Sequence, residues 1–185
     1  MIKIGITGSI ASGKTTASKI ISFRKGPLFN ADDYVRKLYK TKKFKKIILK
    51  KFDIKATRNF KVELKKKLLL KKESLKKLTK IIHPIVRKKM IDFIKKNRFK
   101  NIIFLEIPLL IESKLMKHFD LIIFIKSKKS IRLKRYVSKG GNKKLFSYLN
   151  NHQMNDSKKL KYCDYVVVNN KSLSVLKRKL LNIIV

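Results

Sequence analysis

Acidic residues are scarce in this chain. Eleven Asp and Glu face fifty Lys and Arg over 185 residues, leaving a formal net charge of +39. Such a chain attracts polyanions and repels its own copies at low salt, which favours anionic ligands. The basic stretches lack the interleaved aromatics that stack bases. Lys, Ile, Phe and Asn are abundant throughout, so the charge reads as a compositional bias over solvated faces. No specific nucleic-acid partner is expected. Cysteine is all but absent: Cys163 alone excludes an internal disulfide, suits a reducing compartment and reads as a small core thiol. No apolar run approaches the ~18–20 residues needed to cross a bilayer. Met1-Ile2-Lys3-Ile4-Gly5 carries no basic-then-apolar leader, so a cytoplasmic protein with no membrane partner is expected. An internal repeat and a break in composition are also lacking. Residues 1–185 are therefore expected to form one domain, and 44% hydrophobic residues supply its core.

What is present is an alternation of strand and helix patterns. Residues 2–7 are an apolar, β-branched run, followed by a Gly-rich turn and by residues 15–22, where Ala17, Ile20 and Ile21 recur at helical spacing. Pro27-Leu28-Phe29 reads as a second short strand and residues 31–39 as its helix. Residues 102–105, 121–125 and 165–168 are solid apolar runs, as parallel strands buried on both faces require. Helical patterns follow each of them, over residues 109–116, 127–137 and 172–184. The expected fold is α/β, a doubly wound, mostly parallel five-stranded sheet. Between its halves, Leu64, Leu68, Leu75, Leu78 and Ile82 recur three or four residues apart among lysines, so residues 42–97 read as a mostly helical insertion. Ser138-Lys139-Gly140-Gly141-Asn142 is a candidate lid hinge.

Gly8-Ser9-Ile10-Ala11-Ser12-Gly13-Lys14-Thr15 satisfies the Walker A pattern. Its flanks strengthen it, because such a loop must leave a strand and open a helix whose N-terminal amides and dipole face phosphate. Gly8 and Gly13 allow the close backbone approach that a Cβ would obstruct. Lys14 would bridge the β- and γ-phosphates of ATP, Thr15 would offer its hydroxyl to Mg²⁺, and Thr16 would reach the α-phosphate.

The acceptor side must come from elsewhere. Asp32, in Asn30-Ala31-Asp32-Asp33, follows the second strand at the sheet edge where ligands bind. It would serve as a base for an attacking hydroxyl or as a helix N-cap. Glu106 closes the third strand, where a carboxylate would orient Mg²⁺ through water or simply face solvent. Glu112 would anchor a loop or a helix start.

Taken in order, these motifs resemble the dephospho-coenzyme A kinase family over nearly the whole chain. They are residues 5–16, Asn30-Ala31-Asp32, His83-Pro84, Pro108-Leu109-Leu110-Ile111-Glu112, Arg132-Leu133-Lys134-Arg135, Gln153 and residues 164–169. The resemblance implies a P-loop NTPase fold of the adenylate-kinase type, with a helical coenzyme A-binding insertion over residues 42–97 and a short lid over residues 136–157. It implies ATP-dependent phosphorylation of the ribose 3′-hydroxyl of dephospho-coenzyme A, with Mg²⁺ as cofactor. By the same resemblance Asp32 looks like the catalytic base, Arg135 like an arginine near the transferred phosphate, and Asn169 like a residue near adenine. Residues Gly8, Ala11, Ser12, Gly13, Lys14, Thr15 and Thr16 would hold ATP, and His83, Pro108 and Leu109 would meet the substrate. The alternative readings are a solvated helix residue for Arg135 and a helix cap for His83. Lysine stands at 139 and 61 where the family often has arginine, which keeps charge and loses the planar fork. Two rivals remain at this level: a P-loop kinase for a nucleoside, nucleotide or shikimate-like acceptor, and an ATP-switched nucleic-acid-binding protein.

Overall fold

The computed structural model describes residues 1–54, 60–70 and 72–183, with side chains throughout except at 61, 65, 69, 70, 72 and 75. The expectation at Lys61 therefore lies outside the described residues. Five strands, β1 (Ile2–Gly8), β2 (Leu28–Asn30), β3 (Ile102–Glu106), β4 (Leu121–Lys126) and β5 (Tyr165–Val168), form one sheet. They pair in the order β2-β3-β1-β4-β5 and every pairing is parallel. The helices are α1 (Lys14–Ser22), α2 (Ala31–Leu38), α3 (Lys42–Phe52), α4 (Phe60–Leu70), α5 (Lys72–Lys96), α6 (Lys129–Val137), α7 (Lys143–Asn151), α8 (Asp156–Leu160) and α9 (Leu173–Leu181).

Alternation along the strands sets the packing. Ile4 and Ile6 of β1, Phe104 of β3, Ile123 and Ile125 of β4 and Val167 of β5 share one face, which is covered by Ala17 and Ile21 of α1 and Leu176 and Leu180 of α9. Gly5 faces the other way, and a Cβ there would lie 2.8 Å from the Leu110 side chain. That closeness brings the segment after β3 onto the second face of the sheet.

The chain divides into two compact units, Met1–Ala31 with Phe93–Val185, and Asp32–Asp92. The second has its own core of Phe44, Ile48, Phe52, Ile54, Phe60, Leu64 and Leu78. Thr41 caps α3 by accepting the Phe44 amide, and Asp53 ends it in the left-handed region. Pro84 sits inside α5, where its ring offers no amide to the carbonyl four residues back.

Two expectations need correction. Residues 109–116 do not form a helix: the chain turns through residues 108–114 and enters a short 3-10 helix at Met116–His118. Leu110, Ile111 and Leu115 are all buried, so their spacing mimics a helical stripe while serving a compact turn in which Lys114 takes φ 53°. Residues 165–168 are not buried on both faces either. As an edge strand, β5 buries only Val167 and leaves Tyr165, Val166 and Val168 exposed. Cys163 is half-buried, its thiol donates to the Lys159 carbonyl at 3.3 Å, and burial pushes its pKa up to about 11.

Phe104 is fully buried at the middle of this core, so Phe104→Ala is expected to cost about 3–5 kcal/mol of unfolding free energy, measured by urea denaturation.

Candidate active site

The phosphate loop is built by the end of β1. Gly8 leaves the strand with φ 151°, and a Cβ on it would lie 2.4 Å from the Ile125 carbonyl oxygen. Gly13, at φ 96°, is the N-cap of α1 and supplies no side-chain cap. A helix N-terminus that no side chain caps suits an anion, and the helix dipole adds attraction there. Lys14 is buried, and its ammonium donates to the Ser9 carbonyl at 3.0 Å.

Glu106 answers the question left open by its place in the sequence. It is fully buried and binds three neighbours rather than solvent. Its carboxylate accepts from the Thr15 hydroxyl at 2.7 Å, from the Ser18 hydroxyl at 2.8 Å and from the Asn30 amide. The registers explain the meeting, since Glu106 pairs with Ile6 of β1 on one side and Asn30 of β2 on the other. A hydroxyl beside a carboxylate is a hard-oxygen donor set, which fits a Mg²⁺ that keeps most of its waters and borrows the rest of its ligands from phosphate. Among the described residues no group of three or more His, Cys, Asp or Glu forms a metal cage.

The loop is braced at both ends. At Ser12 its carbonyl accepts from the Asn169 amide at 2.9 Å and from the Arg135 guanidinium at 3.4 Å, and Arg135 also donates to the Asn169 carbonyl at 3.1 Å. Arg135 is therefore packed against the loop and is not a solvated helix residue. At the apex, the Ile10 amide donates to Gln153 at 2.9 Å, the Ser9 hydroxyl donates to Asp156, and Arg132 donates to the Ile10 carbonyl at 3.3 Å. Burial lowers the pKa of Arg132 and Asp156 opposes that shift, so the guanidinium stays charged.

Ala11 takes φ 57° in the loop, and Thr16 lies exposed on the first turn of α1. Pro108 and Leu109 are half-buried in the turn after β3, where the Pro108 carbonyl accepts from the Thr7 hydroxyl at 3.2 Å. Asp32 and His83 belong to the other unit. Asp32 is exposed in the first turn of α2, and its neighbour Asp33 pairs with Arg36 one turn on. His83 is half-buried in α5. Burial, and secondarily the Arg87 charge, hold its imidazole pKa below the usual value. Lys139 is exposed, and the glycines after it are held by amide bonds from Gly140 to the Val137 carbonyl and from Gly141 to that of Tyr136.

Sequence reasoning did not single out Ser18, Asp156 or Lys159. Ser18 stands one turn beyond Thr15 on α1, a spacing that would have paired the two hydroxyls. Lys159 had no signal among so many lysines.

A phosphate loop between the central strand and its helix, with a buried carboxylate from the adjacent strand on the loop threonine, defines a P-loop nucleoside-triphosphate-binding protein. The profile of the Dephospho-CoA kinase family matches residues 2–174, and the chain belongs to that family. It is 35% identical to a dephospho-CoA kinase of Bartonella quintana over 98% of this chain and 95% of that one. It is 32% identical to one of Zymomonas mobilis over 95% and 91%. A crystal structure from Thermus thermophilus superposes with a TM-score of 0.80 at 24% identity, covering 98% of this chain and 95% of its own.

Glu106→Ala removes the acceptor shared by Thr15, Ser18 and Asn30, and the buried Ser18 hydroxyl costs about 1–3 kcal/mol where it is left unpaired. The expected result is a lower melting temperature together with at least a tenfold fall in Mg-ATP-dependent turnover, about 1.4 kcal/mol of barrier, read by differential scanning calorimetry and ADP release.

Proposed function

We propose that this chain transfers the γ-phosphate of ATP to the ribose 3′-hydroxyl of dephospho-CoA, giving CoA and ADP in the last step of CoA biosynthesis. The observation that carries the proposal is the braced loop of a family member, with buried Lys14 and with Thr15 fixed by Glu106. Phosphoryl transfer asks little covalent chemistry of the protein, so positioning and charge do most of the catalysis.

The amides of residues 11–16 cradle the polyphosphate, and Lys14 leaves the Ser9 carbonyl to bridge its β- and γ-groups. Thr15 and Glu106 would hold Mg²⁺, the threonine by its hydroxyl and the carboxylate through water, and the ion would supply charge neutralisation for the phosphate oxygens. Both bonded to the Ser12 carbonyl, Asn169 serves the adenine end of ATP and Arg135 stabilises the transferred phosphate. Asp32 accepts the proton of the ribose hydroxyl as that oxygen attacks phosphorus. The unit Asp32–Asp92, with His83, takes the CoA portion, Pro108 and Leu109 are substrate-binding residues, and the segment around Lys139 works as a lid. The use of ATP and the single free cysteine favour a cytoplasmic reaction.

Lys14→Ala is expected to abolish ATP-dependent transfer. Asp32→Asn is expected to keep ATP affinity and lose turnover by ~10²-fold or more. Coupled measurement of ADP release with dephospho-CoA, a nucleoside monophosphate and shikimate as acceptors checks both. Background turnover with dephospho-CoA alone among active acceptors would reject the assignment.

A further inference from the structure

We infer that the buried ion pair between Glu112 and Lys159 is a positioning device for the apex of the phosphate loop, acting through Gln153 and Asp156. Lys159 is fully buried, and its ammonium lies 2.7 Å from Glu112. Glu112 also accepts the Met154 amide at 3.3 Å, so one carboxylate grips both ends of the stretch from 154 to 159. That stretch carries α8, which Asn155 caps by accepting the Ser157 amide. Lys159 stands one turn beyond Asp156, at the i+3 spacing that keeps two side chains on neighbouring faces of a helix.

The near end of the same stretch meets the loop. Gln153 takes the Ile10 amide and Asp156 takes the Ser9 hydroxyl. Both carbonyls of the apex are committed too, with the Ser9 carbonyl on Lys14 and the Ile10 carbonyl on Arg132. The Ser9 hydroxyl, the Ile10 amide and both carbonyls are thus bonded within the protein body. Fixing the apex this way sets the direction of the later amides, residues 11–16, on which a polyphosphate depends.

A solvated lysine could not serve here. Held without water, the ammonium can relax only towards Glu112, so removing either partner leaves an uncompensated buried charge and lets α8 shift. Glu112 in turn is fixed by the turn after β3, whose Pro108 carbonyl is bonded to Thr7 at the end of β1. The loop therefore rests on β1 twice, once through the chain itself and once around the circuit from Thr7 through Glu112 and Lys159 to Gln153.

The inference rests on the proposed use of ATP, and its test separates the two. Lys159→Met and Gln153→Ala, singly and combined in the full chain, are measured for ATP affinity by calorimetry without acceptor, for KM of ATP and of dephospho-CoA, and for Tm. Each single variant is expected to weaken ATP about tenfold, since displacing a binding group slightly is costly, and to leave the KM of dephospho-CoA within about twofold. The double variant is expected to weaken ATP by less than the product of the two singles, because Lys159 acts in part through Gln153, the Asp156 contact carrying the rest. Effects that multiply in the double, or a Lys159→Met that lowers Tm with ATP affinity unchanged, would overturn the inference. Should Lys159→Met fail to fold, Glu112→Gln, which keeps shape and an acceptor for Met154, replaces it with the same expected and opposing outcomes. ATP affinity read without acceptor stays informative even if dephospho-CoA proves the wrong substrate, whereas no ATP binding by the unaltered chain would defeat the proposed function itself.

Discussion

The carboxylate of Glu106 is the contact on which the site depends. Three elements that are distant in sequence converge on it, because parallel pairing puts the carboxyl ends of β1, β2 and β3 at one edge and in register. Its oxygens hold Thr15 and Ser18 on one face of α1 and Asn30 at the end of β2. A buried carboxylate with several donors is tightly held, so the orientation of α1 relative to the sheet is fixed where the helix N-terminus meets its ligand. Since the sheet fixes Glu106 and Glu106 fixes Thr15, the hydroxyl proposed to hold the metal is positioned by the fold rather than by a loop.

The sequence was most informative where one physical pattern dominates. Strand and helix alternation follows from solid apolar runs, and all five strands lie within a residue or two of their expected positions. The phosphate loop was legible because its glycines meet a steric need that only glycine satisfies, as the Gly8 contact with the Ile125 carbonyl illustrates. Periodicity failed at residues 109–116, where three buried apolar residues at helical spacing line a turn. It also failed for β5, because an apolar run does not say whether a strand lies inside the sheet or at its edge.

Side-chain networks were less legible for a different reason. Arg135 and Asn169 could be named, but not the carbonyl of Ser12 that joins them, since backbone acceptors leave no trace in composition. Lys159 was invisible because a buried, ion-paired lysine looks like any other among fifty basic residues. The general lysine bias thus obscured a buried, ion-paired lysine. In a chain so rich in one residue type, burial carries the information that identity cannot.

The placement of β1 has a further meaning for motion. It is hydrogen-bonded to β3 along one side and to β4 along the other, so its amides are the hardest to open to solvent without unfolding the sheet as a whole. Deuterium would reach them last. The most mobile task of the molecule, gripping and releasing a polyphosphate, is therefore hinged on its slowest-exchanging strand, and the nucleotide's arrival and departure need not disturb the core.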